Sequence, residues 1–369
     1  MSKLAMVRDE KFRDHLTPEL HPESPARLAA IDKALHRSHL MKEVRQLKAR
    51  LATEDELASV HKTYYIEHLQ EDAAKAKNSA QIIPLDPDTF MSAETYDTAK
   101  LAAGAGLVAV DALKRKDTDS SFVVVRPPGH HALADRPMGF CLFNNLAVAA
   151  RYAQQKLGYK RIFVVDWDVH HGNGTQALFY DDPSVLFLSF HQYPFWPPDS
   201  GWYTEDGAGD GKGYNVNIPL PAGTGDKGYL KGWDEIVKPV CQEYQPDLIM
   251  LSAGYDAHQA DPLGQQQIST TGYALLTQRL RELADEGNRK IVGFLEGGYN
   301  TKSLSDAVVA TMKVLNANHP GDAKMIVPGL PTDESGSVAP ITGDRNPELV
   351  NERIKEIRRY LASYWKSLR

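Results

Sequence analysis

The chain has 369 residues, 42% apolar and 24% charged, with a net charge of −6 at pH 7. That composition belongs to an ordinary globular protein with ample material for a core, and its acidic balance offers no footprint for nucleic acid. Cys141 and Cys241 are the only cysteines, which excludes a disulfide framework and a thiolate-built zinc site and leaves His and carboxylate side chains as metal ligands.

The opening residues lack the apolar stretch of a signal peptide, and no window approaches the length of a membrane span. The cytoplasm is therefore the expected compartment, with no membrane partner. The N-terminal part is rich in charge and helix formers. His21, Pro22, Glu23, Ser24, Pro25, Ala26 and Arg27 lead into a helical period of Leu28, Ile31 and Leu35, with proline near its start. A second helix is expected over 95–116, where Ala102, Ala103, Gly104, Ala105 and Gly106 suit close packing against a sheet. From there strands alternate with loops and helices. A strand over 122–125 precedes a Pro/Gly/His loop and a helix over Asn145–Leu157; further strands are expected over Ile162–Asp166, 185–190, 248–252 and 291–295. Such alternation indicates a parallel sheet covered on both faces, in one domain spanning 1–369. Loops 193–213 and 254–267 mix Pro, Gly, Trp and Tyr and suit the walls of a site. Over 347–369, Val350, Ile354, Ile357, Tyr360, Leu361 and Trp365 recur at helical spacing, so this segment is expected to pack as a helix on its own domain.

The unusual polar residues all fall at the carboxyl ends of these strands, where parallel sheets bind ligands. After the apolar run Ile162, Phe163, Val164 and Val165, the residues Asp166, Asp168 and His170 lie two apart and project to one side. Converging carboxylates around an imidazole invite a cation. A catalytic zinc takes three ligands of this type and keeps a position open, and Asp256, at another strand end, is the strongest third candidate. His130 and His131 follow Pro127, Pro128 and Gly129 at a neighbouring strand end, and imidazoles titrate near neutrality, so one suits the base and one the acid of a hydrolysis. Asp166 would orient one ring and Asn173, more weakly, the other. Tyr299 follows Glu296, Gly297 and Gly298; the glycines let backbone approach a ligand, and a phenol can donate to an oxyanion.

Taken together, these pieces resemble the zinc-dependent histone deacetylase family, including bacterial deacetylase-like amidohydrolases and acetylpolyamine amidohydrolases. The matching stretches are 126–132, 139–145, 166–175, 253–256 and 296–299, in the family's order over about 20–315. The resemblance implies the arginase/deacetylase α/β fold, with an eight-stranded, mainly parallel sheet between helices. It assigns the zinc to Asp168, His170 and Asp256, the tandem-histidine role to His130 and His131, and carbonyl polarisation to Tyr299. It also implies monovalent cations: an inner potassium at Asp166, Asp168, His170, Ser189 and Phe190, and an outer one at Phe179, Asp182, Val185 and Tyr214. Phe140 and Trp196 would flank a narrow acyl tunnel, with Asp88, Gly139, Leu263 and Gly298 completing the substrate-binding set. Trp196 stands where Phe is usual. Asn173 replaces the Asp of the class I pattern, which points to a class II-like branch, and Arg27 resembles the arginine of a product-release channel.

The expected function is metal-assisted hydrolysis of acetyl, or another short acyl group, from acyl-lysine or a related amine. Acetylated polyamines are the alternative substrate, with Asp88 and Glu94 as acids at the mouth; Leu263, where polyamine-selective relatives place Glu, argues against it. A ureohydrolase of the same fold would need further carboxylates to bridge two metals. An inactive acyl-binding module would have lost Tyr299 or a ligand, and all are present. A homo-oligomer is compatible with the sequence.

Overall fold

The computed structural model describes residues 3–318 and 341–369; the expected single domain also takes in 1–2 and 319–340, which lie outside the described residues. Eight strands form one sheet: β1 (Leu4–Val7), β2 (Arg45–Leu47), β5 (Ser120–Val123), β6 (Ile162–Asp166), β7 (Val185–Gln192), β8 (Asn215–Leu220), β9 (Leu248–Ala253) and β10 (Lys290–Leu295). A two-stranded hairpin, β3 (Ile83–Pro84) with β4 (Phe90–Met91), stands apart. The sheet order is β2-β1-β5-β10-β9-β6-β7-β8, and every pairing within it is parallel, in keeping with the eight-stranded, mainly parallel sheet expected. Strands buried on both faces read as continuous apolar runs rather than alternating ones. That is how β6, with Ile162 to Val165 wholly buried, was recognisable.

The order of the strands places the site. Chain order runs β5 to β6, but β10 and β9 insert between them, so β5, β10, β9 and β6 are consecutive neighbours. Neighbouring strands lie about 4.8 Å apart. The loops leaving their carboxyl ends, which carry 129–131, 297–299, 254–256 and 166–170, are therefore forced together. In register, Asp166 sits beside Ser252 of β9 and Ser189 of β7.

Helices cover the sheet. The helix Pro25–Arg37 starts at Pro25, after Ser24, and buries Leu28, Ile31 and Leu35 as expected. The helix Thr95–Lys114 ends two residues before the expected limit, because Lys116 adopts a left-handed φ of 60°. Its small residues Ala102 to Gly106 are all buried, and Gly106 faces the Phe294 ring of β10. The helix Asn145–Leu157 is capped by the Asn144 side chain and closed by Gly158 at φ 76°.

Four strands shift. β5 begins and ends two residues earlier than its pattern, β10 begins one earlier, β9 ends one later, and β7 continues to Gln192, which puts His191 inside the strand. The sequence pattern marks no strand at β1, β2 or β8. The first two are very short, and Asn215 and Asn217 break the apolar run of the third.

The C-terminal segment is helical over Pro347–Leu361 and not to the chain end as expected. Val350, Ile354, Ile357 and Leu361 are buried along one face. Beyond it Trp365 turns back into the domain, donating from Nε1 to the Gly213 carbonyl at 3.0 Å and packing edge-on against Tyr214 and Tyr244. Truncating a buried aromatic leaves a cavity that the surroundings fill only in part. Trp365→Ala should accordingly lose about 3–5 kcal/mol of unfolding free energy by chemical denaturation, and a loss below about 1 kcal/mol would show that the segment does not dock here.

Candidate catalytic metal centre

Asp168, His170 and Asp256 meet at one point, with one ligand atom from each within 4.8 Å of the others. The Nδ1 of His170 lies 3.0 Å from Asp168 Oδ1 and 3.1 Å from Asp256 Oδ2. Both carboxylates are wholly buried. Neither pairs with Lys or Arg among the described residues, and backbone N–H groups aim them: Gly297 donates to Asp168 Oδ2 at 2.9 Å, and Val169 to Asp256 Oδ1 at 2.8 Å. Burial opposes both charges. The neighbouring imidazoles nonetheless hold Asp168 low, while Asp256, beside Asp168, is pushed up to about 7. A buried cluster with two carboxylates and one imidazole fits a single divalent cation in donor type and in number.

The backbone around these ligands has no room to spare. A Cβ on Gly297 would sit 2.1 Å from Asp256 Oδ2 and 2.5 Å from Asp168 Oδ2. Gly297 is thus required by the closeness of the ligands.

Behind the cluster stand the tandem imidazoles, with ring centroids 3.8 Å apart. His130 Nδ1 meets Asp166 Oδ2 at 2.9 Å, and His131 Nδ1 meets Asn173 Oδ1 at 2.8 Å, as the two orienting roles required. Their partners separate them electrically. Burial would lower both, but the carboxylates of Asp166 and Asp168 raise His130 to about 10. Burial and the charges of His130 and His170 put His131 well below the usual range. An amide oxygen accepts only from a donor, so His131 carries its proton on Nδ1 and leaves Nε2 as an acceptor.

Tyr299 follows Gly298, whose φ is 120°. Its ring meets Phe140 edge-on at 5.8 Å and lies under the guanidinium of Arg27 at 5.1 Å. Its hydroxyl has no hydrogen-bond partner among the described residues, and burial, then the Asp256 carboxylate, push the phenol well above its ordinary range. It remains a proton donor. Trp196 packs edge-on against His131 at 4.7 Å. Gly139, at φ 55°, sits so close to both that a Cβ would come within 2.5 Å of His131 and 2.6 Å of Trp196.

The remaining expected residues are more dispersed. Asp88 is half-buried next to Thr89, whose hydroxyl accepts the Phe140 N–H at 3.1 Å, and burial with the adjacent Asp86 carboxyl pushes Asp88 up to about 6. Glu94 is exposed at the start of a helix and makes no contact with the cluster. Leu263 is half-buried. Ser189 neighbours Asp166 in the sheet and Phe190 follows it, but Phe179, Asp182, Val185 and Tyr214 gather at the opposite end of β7. There the Asp182 carboxylate is already taken by Arg151 and Ser184, so a cation could meet only carbonyl oxygens.

The Histone deacetylase domain family matches residues 21–315. The chain belongs to that family. It is 42% identical over 311 residues to histone deacetylase 10, chloroplastic, of Oryza sativa subsp. japonica, covering 80% of this chain and 69% of that one. It is 34% identical to a probable deacetylase of Archaeoglobus fulgidus over 98% of both chains. It is also 39% identical to the human polyamine deacetylase HDAC10 over 95% of this chain and half of that protein. Among solved structures, the HDA15 HD domain superposes with a TM-score of 0.86 at 33% identity, covering 100% of this chain and 97% of that one. This family is zinc-dependent, which agrees with the donor set of the cluster. No helix among the described residues is long and apolar enough to cross a membrane.

Four further residues support this deacetylase-family site and had no role in the sequence reading. Glu296 accepts from the Gly129 N–H at 2.7 Å and the His130 N–H at 3.2 Å, fixing the tandem-histidine loop. Phe195 stacks on His170 at 5.2 Å. Glu23, wholly buried, pairs with both Arg126 and Arg27; Arg27 in turn donates to the carbonyls of Gly298 at 2.7 Å and Glu296. Asp261 accepts from the Tyr299 backbone. Glu296 and Phe195 adjoin residues that were singled out; Glu23 and Asp261 carry no local pattern. Because a Cβ at Gly297 would displace both ligand carboxylates, Gly297→Ala should bind zinc at least about tenfold more weakly in competition with a chelator, and unchanged affinity would remove the cluster as the metal site.

Proposed function

We propose that the chain is a zinc-dependent deacetylase that hydrolyses acetyl, and other short acyl groups, from the side-chain amine of lysine. The observation that carries this reading is the placement of two imidazoles with unlike partners, Asp166 and Asn173, beside the Asp168, His170 and Asp256 ligand group. Zinc held by those three residues would polarise the acyl carbonyl and acidify the attacking water. His131, its Nδ1 proton committed to Asn173, accepts the proton of that water at Nε2. His130, kept protonated by Asp166, offsets the negative charge that builds on the carbonyl oxygen. Tyr299 donates its free hydroxyl to the same oxygen. The C–N bond then breaks, and His131 returns its proton to the departing amine. Cys141 is buried with its thiol pushed well above the ordinary range, which supports attack by water rather than by a thiolate.

Phe140 and Trp196 are assigned to the acyl tunnel, with Gly139 and Gly298 as backbone positions that admit the rings and Asp88 and Leu263 towards its mouth. Potassium is assigned to Asp166, Asp168, His170, Ser189 and Phe190. The Ser189 hydroxyl supports this: His191 donates from Nε2 to the Gly201 carbonyl at 2.7 Å, so its Nδ1 takes the Ser189 proton at 2.9 Å and leaves the oxygen lone pairs for a cation. The carbonyls of Phe179, Asp182, Val185 and Tyr214 form the second site. Acetylated polyamines are the second substrate reading, supported by the similarity to the human polyamine deacetylase.

Two variants test these roles. A donor aimed at an oxyanion acts mainly in the transition state, so Tyr299→Phe should lower kcat on an acetyl-lysine peptide by about 100- to 1,000-fold. Zinc content and Tm should stay unchanged; near-normal kcat would overturn the assignment. Leu263→Glu should raise kcat/KM for acetylspermidine relative to the peptide, because an acid at the rim attracts a distal ammonium. An unchanged ratio would detach Leu263 from specificity.

A further inference from the structure

The hydroxyl of Tyr299 has no hydrogen-bond partner among the described residues, so its position depends on the backbone that carries it. That backbone leaves Gly298 at φ 120° and is caught at once by a single buried carboxylate. Asp261 Oδ2 accepts the N–H groups of Tyr299 at 2.6 Å and Asn300 at 3.1 Å, and its Oδ1 accepts the Leu263 N–H at 3.0 Å. The side chain of Asn300 answers by donating to the Ala260 carbonyl at 3.0 Å. Asp261 is 7% exposed and forms no ion pair among the described residues. Its charge is therefore spent on three backbone donors, bonds roughly twice as strong as neutral ones. Asp261 lies on the loop that begins with Asp256, so one side chain ties the metal-bearing loop to the tyrosine-bearing loop.

We propose that Asp261 is a positioning residue for deacetylation, holding the Tyr299 backbone where its hydroxyl meets the developing oxyanion. This rests on the oxyanion role of Tyr299 given above. An error of about 1 Å in such a group can cost roughly 100-fold in rate. Phe140 and Arg27 touch the ring of the phenol, whereas Asp261 holds the backbone from which that ring projects.

The test is a double-mutant cycle in the full-length zinc-loaded protein, reading kcat and KM on an acetyl-lysine peptide together with zinc content and Tm. Asp261→Ala should lower kcat by about 10- to 100-fold, with KM within about twofold and one zinc retained per chain. Asp261→Asn, which can still accept the Tyr299 and Asn300 donors through its amide oxygen, should recover part of that loss. Added to Tyr299→Phe, Asp261→Ala should cost no more than about a further twofold, because the group it positions is already gone. Equal losses in both backgrounds, an unchanged kcat, or loss of zinc alongside activity would overturn the proposal. If Asp261→Ala does not fold, Asp261→Asn carries the same cycle with a smaller first step. Normal turnover by Tyr299→Phe alone would instead sink the oxyanion role.

Discussion

Two wholly buried carboxylates, Asp168 and Asp256, are held about 3 Å from one imidazole nitrogen. Charges removed from water in this way cost several kcal/mol each unless something of opposite sign joins them. Against the three buried carboxylates Asp166, Asp168 and Asp256 stand two imidazoles, His170 and His130, the latter 2.9 Å from Asp166 and 3.8 Å from Asp168, and no Lys or Arg joins them among the described residues. The arrangement makes sense as a cation site, and much around it follows. The backbone N–H groups of Gly297 and Val169 are spent on aiming the two carboxylates, Gly297 must lack a side chain, and burial beside Asp168 drives Asp256 up to about 7.

The sheet answers this constraint through its strand order. Parallel strands end on the same edge, and the insertion of β10 and β9 between β5 and β6 packs four functional loops side by side. Behind them, Glu23 bridges Arg126 and Arg27, and Arg27 reaches the carbonyls of Glu296 and Gly298. Removing one member of such a buried network leaves an unpaired charge worth about 3–5 kcal/mol. This network links the helix Pro25–Arg37 to the loop of Tyr299.

Much of this was legible in the sequence because chemistry and periodicity coincided. The apolar run before Asp166 marks the strand β6, which ends there, and Asp168 and His170 stand out by residue type just beyond it, where the bend of the chain brings them to Asp256. The tandem imidazoles and Tyr299 stood out by residue type beside glycines. What escaped was set by contacts between distant segments. Asp261 is an ordinary loop aspartate until Tyr299, 38 residues away, donates to it. Glu23 looks like a helix-start acid, yet its partner Arg126 lies 103 residues on. The strand β8 carries Asn215 and Asn217 on a buried face, where their amide nitrogens donate to the Gln176 side chain, so no apolar pattern marks it. The early end of the C-terminal helix has the same origin: Trp365 is drawn out of helical register towards the Gly213 carbonyl.

Diffraction from crystals of the zinc-loaded protein, with anomalous differences measured on both sides of the zinc absorption edge, tests the central claim most directly. The account predicts one strong peak per chain, present only above the edge, at bonding distance (about 2.0–2.2 Å) from His170 Nδ1 and from one oxygen each of Asp168 and Asp256. An empty cluster, or a zinc peak held by other residues, would contradict it.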